Sequence, residues 1–300
     1  MAILLDENTE VMVQGITGRE AGIRTGVMKG YGTKVVCGVT PGRGGMEVHG
    51  IPVYNTIQEA KEHHPNVSVT AVFVAARFAK FAGLEALEAG IKVVVMIPER
   101  LPQQDMLEII EKGREKGATV LGPNCIGMVS PGKAIVGMIG GTPEMARSIF
   151  KEGYCGVLSR SGGNTTSTSF YLTEAGVGQS TCIAIGGDAF VGSTFADLLP
   201  LFEKDEQTKA VAAFGEIGTT IEEDAAQLIK DGKFTKPFII YLGGKYMQED
   251  TRFGHAGAII SRGRGTVKEK EKVLREAGAY IVDHLGEMGD MVKRAVAERE

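Results

Sequence analysis

What this 300-residue chain lacks narrows its class first. It has no apolar run of about eighteen residues, so no stretch reads as a membrane-spanning helix. It opens MAILLDENTE and reaches a charge at Asp6, which does not read as a secretory signal, and a cytoplasmic location is expected. The net charge is −4 with Lys and Glu intermixed, and there is no basic block to follow a nucleic-acid backbone or an anionic membrane. Neither partner is expected, and a small molecule is. The four cysteines, Cys37, Cys125, Cys155 and Cys182, lie far apart with no C-x-x-C pair, so neither a metal site nor a disulfide framework is suggested. Buried thiols in a reducing compartment fit that spacing.

What is present is a core. With 43% hydrophobic residues and a length beyond one ordinary domain, the chain can bury two. Short β-branched runs alternate with helical stretches across glycine-rich joints: VMVQG, KVVCGV, VSVTAVFVA, KVVVMI and ATVLG, then CGVLS, STCIAIG, KAVAAFG, PFIIYLG and AYIV. That alternation is how a parallel sheet with helices on both faces reads, so the class is α/β. Residues 123–141, PNCIGMVSPGKAIVGMIGG, show neither period and read as the connection between two doubly wound domains.

Each half begins with a strand, a glycine loop and a helix. In QGITGRE, residues 14–20, Gly15 and Gly18 would let backbone approach a ligand, free amides at the helix start would attract a phosphate, and Thr17 and Arg19 would add donors. A dinucleotide dehydrogenase wants an acidic residue ending the second strand, but here Pro41, Gly42 and Arg43 follow it. An arginine there suits a phosphorylated ribose or a pyrophosphate, so NADP or coenzyme A fits better than NAD. The second loop, SRSGGNTTSTSF from residue 159, sets hydroxyls and glycines at a helix start with no carboxylate in the first turn, which leaves that pole open to an anion.

His255 stands in FGHAGAII, among Gly254, Ala256 and Gly257, with no second histidine, cysteine or paired carboxylate close in sequence. A hydrogen-bonded core histidine is one reading, and the other is nucleophilic catalysis. A neutral imidazole can take a phosphoryl group if a partner fixes its tautomer and helix starts meet the product's charge. Glu216, which ends an apolar strand in FGEIGTT, could orient it, because the carboxyl ends of strands in a doubly wound sheet share one edge with the Ser161 loop.

Taken in order, VQGITGRE, GVTPGRGG, GPNCIG, SRSG, IGGD, GEIG, GHAGAII and LREAGAYIVDHLGEMGD resemble the α subunits of succinyl-CoA synthetases and related nucleotide-forming acyl-CoA ligases along nearly the whole chain. The resemblance implies a Rossmann-like CoA-binding domain over 1–127 and a flavodoxin-like domain over 128–300. It makes His255 a transient phosphohistidine and Glu216 its hydrogen-bond partner. Ser161 and Gly162, with neighbouring Gly163 and Asn164, would form a phosphate and substrate loop. Thr17, Gly18, Arg19 and Arg43, with Gly15 and Pro41, would face coenzyme A, and Asn124 would lie near the reacting carboxyl group. ATP or GTP with Mg²⁺ would come through a larger β-type subunit carrying an ATP-grasp module.

Departures from the family's usual motifs bear on the substrate. Ile126 stands where NCPG is usual and Gly163 where SRSGT is usual, while SRSGG, GSTFAD, DGKFTKP and FGHAGA look like ATP citrate lyase. That enzyme continues into a citrate-synthase-like domain, whereas this sequence ends at Glu300, as a citryl-CoA synthetase small subunit would. The expected substrate is therefore citrate, with succinate the alternative and malate behind both. An NADP-dependent oxidoreductase and a non-catalytic CoA-binding regulator are the readings from other classes.

Overall fold

The computed structural model describes residues 3–245, 247, 255–259 and 265–299. Two seven-stranded sheets carry the chain. The first uses β1 (Glu10–Gln14), β2 (Lys34–Val39), β3 (Glu47–Val48), β4 (Ile51–Tyr54), β5 (Val69–Val72), β6 (Val93–Met96) and β7 (Thr119–Leu121), in the order β3-β4-β2-β1-β5-β6-β7. Helices α1 (Arg19–Tyr31), α2 (Ile57–His63), α3 (Ala76–Glu88) and α4 (Gln103–Lys116) form the crossovers. Without the short antiparallel β3, the six parallel strands stand 3-2-1-4-5-6, the dinucleotide-fold order, whose switch point lies between β1 and β5.

The second sheet uses β8 (Gly127–Ser130), β9 (Ala134–Gly137), β10 (Glu152–Ser159), β11 (Gln179–Ala184), β12 (Ala210–Glu216), β13 (Phe238–Gly243) and β14 (Tyr280–Val282). Its helices are α5 (Pro143–Ile149), α6 (Gly162–Glu174), α7 (Phe195–Lys204), α8 (Ile221–Lys230), α9 (Val267–Glu276) and α10 (Met288–Ala297). The order β14-β13-β12-β10-β11-β8-β9 gives its five parallel strands the flavodoxin-like arrangement 2-1-3-4-5, with the switch point between β10 and β12. Every residue of β12 is buried, as expected of a strand covered on both faces.

Residues 123–141 depart from the sequence expectation. They are not an irregular connection, because 127–137 fold into a hairpin, and β8 pairs antiparallel with β11. Both faces of that hairpin are covered, so its apolar residues Met128, Val129, Ile135 and Val136 never alternate with polar ones and no period marks the strands. The hairpin also bonds to the first half. Thr33 Oγ1 accepts from the Ile135 amide at 2.9 Å and donates to the Ile135 carbonyl at 2.8 Å, and Ser130 Oγ donates to the Leu5 carbonyl at 2.6 Å. One apolar core accordingly runs from Val13 through Val129 and Ile135 to Val157 and Ile240.

Candidate functional site

Strand order opens a crevice where crossovers leave a sheet in opposite directions. In the second sheet that crevice lies between the ends of β10 and β12, and three groups meet there. Ser161 follows β10, Glu216 is the last residue of β12, and His255 approaches from the segment 255–259. Both carboxylate oxygens of Glu216 lie 2.9 Å from His255 Nδ1. An ionised carboxylate only accepts, so Nδ1 carries the proton, and in the neutral ring Nε2 keeps its lone pair. The ring lies flat against Gly187, where any Cβ would collide with it. Hydrogen bonding to Glu216 raises the His255 pKa above 6.5, against the opposing effects of burial and of the Arg160 charge.

The cavity around this pair has a volume of about 240 Å³ and is lined also by Asn164, Phe214, Met247 and Ala258. Ser161 caps α6: its Oγ accepts from the Asn164 side-chain amide at 3.0 Å and, at 3.5 Å, from the Asn164 backbone. No acidic residue occupies the first turn of α6, so its free amides and positive pole are available to an anion. Gly162 packs against Ile126, and a Cβ at Gly163 would meet open space, so the fold itself does not require glycine at 163.

A second cavity of about 460 Å³ lies between the carboxyl ends of the two sheets. Glu99 and Asn124 line it from the first half, Asp188 and Phe190 from the second, with Ala256 next to His255 between them. Asn124 Nδ2 donates to Asp188 Oδ1 at 3.3 Å, and burial pushes the Asp188 carboxyl above its ordinary pKa. The sequence brought out Asn124 but not Asp188.

The remaining candidates sit at the carboxyl edge of the first sheet. Gly15 has φ +75°, and a Cβ there would lie 2.8 Å from the Phe73 carbonyl oxygen, so only glycine lets the loop after β1 turn beside β5. Gly18 caps α1 with no side-chain bond, which leaves amide donors at Arg19 and beyond unsatisfied. Glu20 in that first turn is held by Arg24 at 2.7 Å. Thr17 Oγ1 donates to Thr40 Oγ1 at 3.3 Å and ties this loop to the one after β2, where Pro41 and Arg43 are exposed. Free amides, a close backbone approach and two arginines form a fitting cradle for phosphate groups. Gly254 lies outside the described residues.

Among the described residues no cluster of His, Cys, Asp or Glu could hold a metal ion. All four thiols are buried, and burial pushes Cys37, Cys125 and Cys182 up to about 12 and Cys155 up as well. None is therefore a nucleophile at neutral pH. A thiol reagent is expected to leave the folded protein unlabelled near neutrality and to react once denaturant is added. Rapid labelling of any one thiol in the native protein would contradict that.

The sequence also missed Arg160, Glu222 and Lys270, all completely buried behind Glu216. Arg160 Nη2 lies 3.4 Å from Glu216 Oε1, Glu222 Oε1 accepts from the Glu216 amide at 3.0 Å, and Lys270 donates to Glu222 at 2.6 Å.

Two family models match this chain, one for a CoA binding domain over residues 6–100 and one for CoA-ligase over residues 158–280. The chain is 47% identical to the succinate–CoA ligase [ADP-forming] subunit alpha 1 of Archaeoglobus fulgidus, with 99% of each protein covered. It is 43% identical to an ADP-forming sulfoacetate–CoA ligase subunit of an Acholeplasma species, with 98% of each covered. Among solved structures, Methanosaeta concilii ATP citrate lyase in complex with (3S)-citryl-CoA superposes with a TM-score of 0.92 at 27% identity. That match covers 99% of this chain and 51% of the lyase chain, so this protein spans about half the length of that enzyme.

Proposed function

The chain belongs to the family of succinate–CoA ligase α subunits and their CoA-ligase relatives, and on that footing we propose that it is the coenzyme-A-binding, phosphohistidine-bearing subunit of an ADP-forming carboxylate–CoA ligase. The observation that carries this reading is the His255–Glu216 pair at 2.9 Å, which occupies Nδ1 and, among the described residues, leaves Nε2 without a partner in a cavity shared with Ser161 and Asn164 at the start of α6.

In the reaction, Nε2 attacks the terminal phosphorus of a nucleoside triphosphate, and the bond to the diphosphate oxygen breaks. The imidazolium this creates keeps Nδ1–H on Glu216, which balances its charge. Ser161, Asn164 and the start of α6 are placed to hold the phosphoryl oxygens. A substrate carboxylate oxygen then takes the phosphoryl group as the P–N bond breaks, which gives an acyl phosphate. The CoA thiol attacks the acyl carbon, phosphate leaves, the thiol proton passes to solvent, and a thioester remains. Gly15, Thr17, Gly18, Arg19, Pro41 and Arg43 would hold the coenzyme's phosphates, and Asn124 would face the reacting carboxyl group across the 460 Å³ cavity. ATP with Mg²⁺ would be held by a β-type partner subunit with an ATP-grasp module.

For the carboxylate, succinate is favoured over the citrate that the sequence departures suggested. The full-length relatives at 43–47% identity are named for succinate or sulfoacetate, two short dianions, whereas citrate rests on a half-length match at 27%. With the copurifying partner, nucleotide, Mg²⁺ and CoA, catalytic efficiency is expected to be at least about tenfold higher with succinate or sulfoacetate than with citrate, about 1.4 kcal/mol at the transition state. A preference for citrate would restore the other substrate and leave the ligase reading intact. Acid-labile phosphate on His255, sought by mass spectrometry after incubation with nucleotide, tests the ligase reading itself.

A further inference from the structure

Behind the His255–Glu216 pair lies a row of buried charges that the reaction above does not use. Arg160 is wholly buried, with Nη2 at 3.4 Å from Glu216 Oε1 and Nη1 at 3.7 Å from Glu222 Oε1. Nη1 also donates to the carbonyls of Ile217 and Gly218 at 3.3 Å each. Glu222, equally buried, holds the Glu216 backbone amide through Oε1 and the Lys270 ammonium through Oε2. Lys270 reaches on to Glu223 at 2.7 Å and to the Thr219 carbonyl at 3.1 Å. Read outward from the ring, the signs alternate: Glu216, Arg160, Glu222, Lys270, Glu223.

Burying isolated charges is expensive, and a well-packed apolar cluster often does as well for stability. Four of these five groups are buried, Glu223 alone reaching solvent, and a chain that keeps them behind one imidazole has them for what they do to that imidazole. Three carboxylates against two cations leave one negative charge, which an imidazolium at 255 would neutralise. We propose that Arg160, Glu222 and Lys270 are positioning residues for phosphoryl transfer, fixing Glu216 against His255 and setting the pH at which Nε2 becomes free to attack. The proposal rests on the ligase reading for its reaction but not for its geometry.

Among the described residues, the charged groups facing the ring are Glu216 at the end of β12, Arg160 after β10 and Asp188 after β11, with Glu222, Glu223 and Lys270 of α8 and α9 behind. Attack needs the neutral ring, so phosphorylation rises with pH through the His255 pKa. Arg160 lowers that pKa. Removing its charge moves the titration to higher pH, and removing the Glu222 charge moves it to lower pH. In Glu222→Gln the amide oxygen can still accept from the Glu216 backbone, so the charge is removed with little change of shape.

The test is an NMR titration of the intact chain with ¹³C-labelled histidine. Five histidines are present, and His255→Gln assigns the signal. Arg160→Gln is expected to raise the His255 midpoint by about one pH unit, and Glu222→Gln to lower it by a similar amount. The double variant should return close to wild type. Opposite shifts that cancel cannot come from general loosening of a core. Should Arg160→Gln fail to fold, Glu222→Gln decides alone, and an unchanged or higher midpoint overturns the proposal. With the partner subunit and nucleotide, the pH limb of His255 phosphorylation should move in the same directions, and limbs that stay put also overturn it. Absence of phosphorylation in the wild type would strike at the ligase reading instead.

Discussion

His255→Ala is expected to abolish phosphoenzyme formation and to cut ligase turnover by about four to six orders of magnitude, the scale seen when a covalent nucleophile is deleted. Coenzyme A should still bind within about twofold of wild type, because Gly15, Thr17, Gly18 and Arg43 belong to the other sheet and distant sites act independently. The substitution leaves the fold intact, since the ring is 28% exposed and lies on the surface of Gly187 rather than inside the core. Labelled phosphate retained on the purified variant would show that the nucleophile is another residue. A collapse of coenzyme binding measured by calorimetry would show that the two edges are not independent.

Glu216→Gln is the second large effect. An amide can accept one hydrogen bond from Nδ1 but cannot balance an imidazolium, and losing a bond to a charged group costs about 1.5–3 kcal/mol, or roughly a ten- to hundredfold slower phosphorylation. The pH dependence gives the loss a signature. Glu216 is the largest influence raising the His255 pKa above 6.5, so its removal moves the rising limb of activity to lower pH even as the plateau falls. Stability follows the same linkage. A histidine whose folded pKa is raised contributes stability that is fully present below its unfolded value of 6.5 and is lost as pH rises through the folded value. Thermal midpoints of wild type and variant should therefore differ more at about pH 5.5 than at about pH 8.5. Phosphorylation at the wild-type rate, with an unmoved limb, would remove Glu216 from the mechanism.

The parts of this site that the sequence revealed are those governed by strand ends. β12 and β13 are apolar runs closed by glycines, so their carboxyl ends, and with them Glu216 and the loop after β10, can be set on one edge without coordinates. The pairing with His255 follows from that edge. Lys270 could not be found in this way. It stands in VKEKEKVLRE, a pattern that reads as a solvated helix face, yet it is completely buried because Glu222 and Glu223 meet it from α8. Arg160 was passed over for a related reason: it sits between two serines in a loop, where an arginine reads as exposed, and only the fold of Ile217 and Gly218 over it takes it out of water. Patterning reports which residues are apolar, and it is silent where charges cover one another. The β3–β4 hairpin escaped because its two strands have two and four residues and include Pro52, too little for a period.

The hairpin of residues 127–137 has a consequence for how the cargo travels. It is woven into the second sheet through β11 and pinned to the first half through Thr33, Leu5 and the helix α1, where Gly137 meets Met28 Sδ at 3.4 Å. A seam fastened on both sides does not hinge. The two carboxyl edges are thus moored at a set separation, and a ligand held at one edge reaches the other only across that fixed gap. The same mooring ties the halves together in unfolding: a fragment cut at residue 126 would strip Thr33 and Met28 of their partners and bare the α1 face that β9 covers, so the chain should melt as one unit and neither half should outlive the other.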